Sequence, residues 1–251
     1  QFNWINKTNS KTKERERQKV MKNKKRKVRL GLIASGSGTD GDAIMTACRE
    51  GRIRNAEPVL LISTKPGAGC LAKASKSKVE SVVVDRKAHK LAEWRAEVER
   101  HLRRLEVEMV FLVGCAVVFN PIAGIAFYNI HPADPKKHGG RKMYGLGTHK
   151  HVLLEIRDEI RRGWKTVEDR FFTTLTVHEV NDKPDQGEIL CQTRVEIPKT
   201  IIRQLADGKT RIGKLAAGLQ KHALPFEWLT LPLAVEVAAK KILDTKKTTP
   251  H

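Results

Sequence analysis

Val28-Arg29-Leu30-Gly31-Leu32-Ile33-Ala34 runs directly into Ser35-Gly36-Ser37-Gly38-Thr39-Asp40-Gly41, and Ala43 to Arg49 follows with apolar positions at helical spacing. The first segment reads as a strand, the second as a glycine-rich turn and the third as a helix. A helix that starts from such a turn aims its unpaired backbone N–H groups and the positive end of its dipole at whatever sits there, which makes the turn a natural anion site. Glycines also end strands for steric reasons. Phosphate binding and plain chain reversal therefore both stay open on this stretch alone.

Working outward, the same alternation recurs. Val59 to Ile62 reads as a second strand, Gly69 to Ala74 as a short helix, Val79 to Val84 as a third strand, Leu91 to Leu105 as a helix and Met109 to Val113 as a fourth strand. Strands alternating with helices imply right-handed crossovers, so the expected class is α/β, a Rossmann-like, mainly parallel sheet flanked by helices. Such sheets bind ligands at the carboxyl ends of their strands. The expected organisation is a basic tail over residues 1–27 and one domain over 28–251, with a core at 28–198 and C-terminal helices at 199–251.

A second decisive stretch is Phe127-Tyr128-Asn129-Ile130-His131-Pro132. Residues two apart in an extended backbone share a face, so Asn129 and His131 present an amide and an imidazole to one side. Pro132 disfavours helical geometry at His131 and keeps the pair extended. Downstream, Lys136 to Gly147 reads as an exposed, mobile basic loop and Thr148 to Arg162 as a helix. Phe171 to Val180 and Ile189 to Ile197 read as strands. Between them Asn181-Asp182-Lys183-Pro184-Asp185-Gln186-Gly187 is a polar loop suited to presenting a carboxylate at the sheet edge. Two helices, about Lys209 to His222 and Leu229 to Leu243, are expected to close the domain.

The chain has 251 residues and a formal net charge of +20. Half of that excess falls in residues 1–30, where twelve Lys and Arg against Glu14 and Glu16 leave +10. Lys7 through Lys27 has few apolar residues to pack and repels itself, so a solvated tail is expected. Such a tail can neutralise nucleic-acid phosphates without reading sequence. No apolar run approaches the ~20 residues that span a bilayer, and no apolar stretch follows the tail's charges as a secretory signal requires. A cytoplasmic location is expected, with organellar import left open. Cys48, Cys70, Cys115 and Cys191 are scattered, which fits free thiols in a reducing compartment and offers no zinc ligand set. His149 and His151, two apart on a helix, face different directions, so no metal site is expected there.

Four stretches in order carry a resemblance: Ser35-Gly36-Ser37-Gly38-Thr39, Asn129-Ile130-His131-Pro132, Gly145-Leu146-Gly147-Thr148-His149, and His178-Glu179-Val180 running into Asp185-Gln186-Gly187. On these the chain resembles the folate-dependent formyltransferases, most closely their glycinamide ribonucleotide branch in purine biosynthesis. The likeness covers Val28 to Pro198 and continues more loosely to His222. It implies an enzyme that uses 10-formyltetrahydrofolate as formyl donor and takes small-molecule substrates. It further implies that Asn129, His131 and Asp185 are catalytic. Gly36, Ser37, Gly38, Thr39 and Asp40 would hold the substrate phosphate. Cys115, Ala116, Val117, Val118 and Phe119, with Asp182 and Gly187, would hold the folate.

The sequence departs from that family at three places. Asp40 stands where an Asn is usual, so a carboxylate lies near the presumed phosphate unless it turns outward to cap its helix. Ala116-Val117-Val118 replaces an Arg-containing segment. Lys221 stands where an acidic residue precedes His222, which would reverse the sign of a group that recognises the substrate amine. Two rival functions remain: formylation of another amine, such as charged tRNA or an amino sugar, and a non-catalytic RNA-binding or assembly role.

Overall fold

The computed structural model describes residues 26–115, 117, 119–140 and 143–248; most of the basic tail lies outside them. Seven strands form one sheet: β1 (Val28–Ala34), β2 (Ala56–Ser63), β3 (Glu80–Val83), β4 (Met109–Leu112), β5 (Ala126–His131), β6 (Phe172–Glu179) and β7 (Ile189–Glu196). Their spatial order is β3-β2-β1-β4-β5-β6-β7. The first five neighbours are parallel, while β6 and β7 are antiparallel additions. The order reverses between β1 and β4, and the crevice at such a reversal is where α/β sheets take ligands.

Helices cover both faces. β1 shows why, because its alternate side chains enter different cores. Leu30, Leu32 and Ala34 pack with Ile44, Met45 and Ala47 of α1 (Thr39–Arg49) and with Cys70 and Ala74 of α2 (Gly69–Lys76). Ile33 packs on the other face with Trp94, Val98 and Leu102 of α3 (Leu91–Arg104). Trp94 is fully buried and its indole N–H donates to the Val84 carbonyl at 2.8 Å, so its one polar atom is satisfied. Gly38, with φ 72°, is the point of closest approach between the first turn and α2. A Cβ there would lie 2.5 Å from Cys70 Cα, so the position requires glycine.

Three further helices precede the C-terminus: α4 (Pro135–His138), α5 (Leu146–Arg161) and α6 (Lys199–Asp207). α4 and its flanks correct the expected exposed loop, since His138, Gly139, Gly140 and Met143 are half-buried. Asp134 accepts a hydrogen bond from the Lys136 N–H at 3.0 Å and Pro135 opens the helix, a start signal that fixes this single turn. α6 lies between Pro198 at its N-cap and left-handed Gly208 at its C-cap.

The expected pair of C-terminal helices is instead one helix, α7 (Ile212–Thr248), with Pro225 and Pro232 inside it. Each proline removes a backbone bond, at roughly 3 kcal/mol in a helix interior. Packing offsets that loss. Leu215, Ala216 and Leu219 join a core with α5 and α6, while Leu231, Ala234, Val235, Ala238 and Ala239 join the core under β1. Glu236 also receives the Arg54 and Asn55 backbone N–H groups and the Asn55 amide. Among the described residues, no helix is long and apolar enough to cross a membrane.

Candidate active site

The carboxyl ends of β1, β4 and β5 open into a cavity of about 680 Å³. Its walls come from the Gly36–Asp40 turn, from Leu112 to Cys115 with Val117 and Phe119, from Asn129 to Pro132, and from the loop after β6. Gln220, Leu224 and Glu227 of α7 close one side.

The antiparallel register of β5 and β6 sets the chemistry at the centre. Asn129 pairs with His178 and His131 with Thr176, and directly opposed residues project to the same face. The hydroxyls of Thr173 and Thr176 donate to the carbonyls of Pro132 and Ala133, at 3.2 and 2.9 Å, and anchor the chain just beyond His131. The loop after β6 then turns back. Asp185 adopts φ 59°, a left-handed conformation that Asp tolerates, and Gly187 packs so tightly that a Cβ would lie 1.8 Å from the Glu179 carbonyl oxygen. The turn delivers the Asp185 carboxylate between two imidazoles. Oδ2 is 3.7 Å from His131 Nδ1 and Oδ1 is 3.4 Å from His178 Nε2. Gly140 N–H donates to Oδ2 at 3.0 Å.

Backbone partners fix the tautomers. His131 Nε2 lies 2.8 Å from the His138 carbonyl, and a carbonyl only accepts, so Nε2 carries the hydrogen. His178 Nδ1 lies 2.8 Å from the Glu179 carbonyl and carries the hydrogen there. As neutral rings, both therefore turn a lone pair toward Asp185. One added proton converts that repulsion into attraction, so His131, Asp185 and His178 form a natural holder for a single proton. Burial lowers the His131 pKa, with the Asp185 charge opposing it. Burial pushes the Asp185 carboxyl up, but the His178 contact, the His131 charge and the Gly140 N–H outweigh it and hold the carboxyl below its usual range.

His178 and His149 belong to this cavity and were not singled out as site residues from sequence. His149 sits in the first turn of α5, is fully buried, and has no hydrogen-bond partner at either ring nitrogen. Burial, with repulsion from His131, lowers its pKa to about 4. His151 is exposed, on the other side of the helix. A histidine whose folded pKa is depressed stabilises the fold fully only above its unfolded pKa, ~6.5, and that contribution is lost as pH falls toward 4. The wild type should accordingly lose on the order of 3 kcal/mol more stability than His149→Gln between pH 7 and pH 4, measured by urea unfolding. Equal losses in the two proteins would contradict this.

The other expected site residues divide clearly. Gly36, Ser37, Gly38, Thr39 and Asp40 line the cavity, as do Cys115, Val117 and Phe119. Ala116 and Val118 lie outside the described residues. Asp182 and Gly187 do not line the cavity: Gly187 is spent on the loop reversal, and the loop residues that line it are Asn181, Lys183, Pro184 and Asp185. Asp40 does not turn outward. Gly38 is the N-cap and makes no side-chain cap, while the Asp40 carboxylate is buried with Oδ1 unpartnered. Lys221 is exposed on α7, so the expected sign reversal does not occur in the cavity. The ionisable α7 side chain that faces it is acidic Glu227.

Comparison with known proteins bears on the same span. The Formyl transferase family model matches residues 28–208, from the start of β1 through α6. Phosphoribosylglycinamide formyltransferase of Haemophilus influenzae is 27% identical over 210 residues, covering 80% of this chain and 87% of that one. The chloroplastic phosphoribosylglycinamide formyltransferase of Arabidopsis thaliana is 27% identical over 176 residues, but this chain covers only 55% of its length. The crystal structure of glycinamide ribonucleotide transformylase 1 from Symbiobacterium toebii shares the fold, with a TM-score of 0.65 at 24% identity over 86% of this chain and 89% of that one. Because the matched span holds the glycine turn, the β5 pair and the loop that carries Asp185, the chain belongs to the formyl transferase family.

Proposed function

We propose that the protein transfers the formyl group of 10-formyltetrahydrofolate to the primary amine of glycinamide ribonucleotide, the acceptor that its relatives' names indicate. The observation that carries this reading is the meeting of Asn129, His131, His178 and Asp185 in one cavity that also contains the Gly36–Thr39 turn.

The cavity suits the donor. Its volume is that of a small-molecule site, and Val113, Cys115, Val117, Phe119 and Val180 give it an apolar stretch for a flat ring beside the polar groups of Asn181 and Lys183. When bound there, 10-formyltetrahydrofolate supplies the carbon that is transferred. The Asn129 carboxamide is placed to donate to the formyl oxygen as it gains negative charge. His131 Nδ1 is 3.7 Å from Asp185, too long for a direct hydrogen bond, so Nδ1 is left for a group in the cavity, accepting from it when the ring is neutral and donating to it once the ring is protonated. The transfer removes one proton from the amine and returns one to the folate nitrogen. His131 and Asp185 hold and pass that proton, and His178 keeps the carboxylate in place. Gly36 to Thr39 receive the acceptor's phosphate through backbone N–H groups.

A cytoplasmic location is our reading, with import into an organelle as the alternative, since one relative is chloroplastic. The basic tail, residues 1–27, is read as an arm able to contact nucleic-acid phosphates. Calorimetric titration with a 10-formyltetrahydrofolate analogue, with and without glycinamide ribonucleotide, tests the assignment. Binding of both ligands supports it, whereas RNA affinity without folate affinity would favour the non-catalytic reading.

A further inference from the structure

Two carboxylates from different helices share the end of the cavity that holds the glycine turn. Asp40 is the second residue of α1 and Glu227 lies mid-way along α7; they are 9% and 7% exposed, and both line the cavity. Asp40 Oδ1 has no hydrogen-bond partner. The first intrahelical bond of α1 is donated by Asp42, to the Gly38 carbonyl, so the N–H groups before it are left for a ligand. The same part of the cavity therefore offers donors for an anion and two buried carboxylates, close enough for the Asp40 charge to act on Glu227, that repel one when ionised.

The surroundings do not neutralise that pair. Lys73 of α2 acts on Asp40 from a distance, but its ammonium lies 3.6 Å from the Asp42 carboxylate. Trp228 contributes a hydrogen-bonding side chain to Asp40. Gln220 and Leu224, the other α7 residues in the wall, are uncharged. Among the described lining residues the one Lys or Arg is Lys183, which belongs to the loop after β6, three strands away from β1.

We infer that Asp40 and Glu227 set the charge accepted at this end of the cavity, and that a phosphate-bearing acceptor binds there together with a proton held between its phosphate and the two carboxylates. This rests on the formyl-transfer reading above and adds a selectivity rule to it. The titration agrees in sign. Burial, with the Asp40 charge adding, pushes the Glu227 carboxyl up to about 8, and burial also raises Asp40. The pair keeps a proton near neutrality and loses it in alkali, so acceptor affinity falls as pH rises. A full charge a few ångströms from a phosphate at an intermediate dielectric weakens binding about a hundredfold.

The test uses the full chain with glycinamide ribonucleotide from pH 6 to pH 9. Calorimetry in two buffers of different ionisation enthalpy counts protons, and steady-state rates give KM for each substrate. The wild type should take up about half a proton on acceptor binding near pH 8, where the Glu227 carboxyl is already about half protonated, rising toward one by pH 9, and its acceptor KM should rise up to about tenfold per pH unit above pH 8. KM for the folate should stay flat. Asp40→Asn, which is nearly isosteric, should bind the acceptor more tightly than wild type at pH 9 and take up less than half as many protons. Glu227→Gln should shift the same way. Zero proton uptake with a pH-independent acceptor KM in the wild type, or weaker binding by Asp40→Asn at pH 9, would overturn the inference while leaving formyl transfer standing. Absence of acceptor binding in all three proteins at every pH would remove the acceptor assignment and this inference with it; absence of folate binding would instead reject the reaction.

Discussion

Asn129→Ala should reduce kcat by roughly 10²–10³-fold, the usual cost of deleting one hydrogen-bond donor from a developing oxyanion, while KM for the folate changes little. The side chain is half-buried, on the strand face that also carries His131 and His178, and β4 and β6 hold its backbone on both sides. Truncation therefore removes an amide without opening the core. His131→Ala should cost at least as much, because it deletes the imidazole and also releases the His138 carbonyl from its 2.8 Å partner. Single-turnover rates would separate these effects from binding. An Asn129→Ala enzyme within threefold of wild type would place the oxyanion elsewhere in the cavity.

Asp185→Asn should have the second large effect, and it carries a pH signature. The variant keeps the shape of the loop but removes the charge that opposes the downward pull of burial on His131. If turnover needs protonated His131, activity falls as pH rises through that group's pKa. Loss of the neighbouring charge should move this falling limb to lower pH by about one unit or more. At neutral pH the rate should drop by roughly 10²–10⁴-fold, the range for a positioned acid–base group. A pH–rate profile of kcat measures both. A reduced rate with an unshifted limb would mean that Asp185 positions the loop and does not govern the proton.

Much of this site could be read before the structure because its determinants are local. The strand and turn at Val28–Gly41, the i, i+2 relation of Asn129 and His131, and the polar loop containing Asp185 each follow from short-range pattern. What escaped the reading depends on distant backbone. His178 enters the site through the β5–β6 register, which no local spacing encodes. The group that fixes the His131 tautomer is the His138 carbonyl, and a main-chain oxygen leaves no mark in a sequence. Glu227 was missed because it falls in the gap between the two expected helices, Lys209 to His222 and Leu229 to Leu243, which are one helix. The apolar stripe of α7 carries the helix through Pro225 and turns Gln220, Leu224 and Glu227 inward, leaving Lys221 in solvent.

The central claim is that these converging side chains carry a formyl group to an amine. Its most direct test is to incubate wild type, Asn129→Ala, His131→Ala and Asp185→Asn with 10-formyltetrahydrofolate and glycinamide ribonucleotide and to quantify the formylated ribonucleotide, with circular dichroism confirming that each variant is folded. The structure predicts sustained turnover by the wild type and losses of about a hundredfold or more in every folded variant. Wild type without product, or folded variants that keep pace with it, would contradict the account.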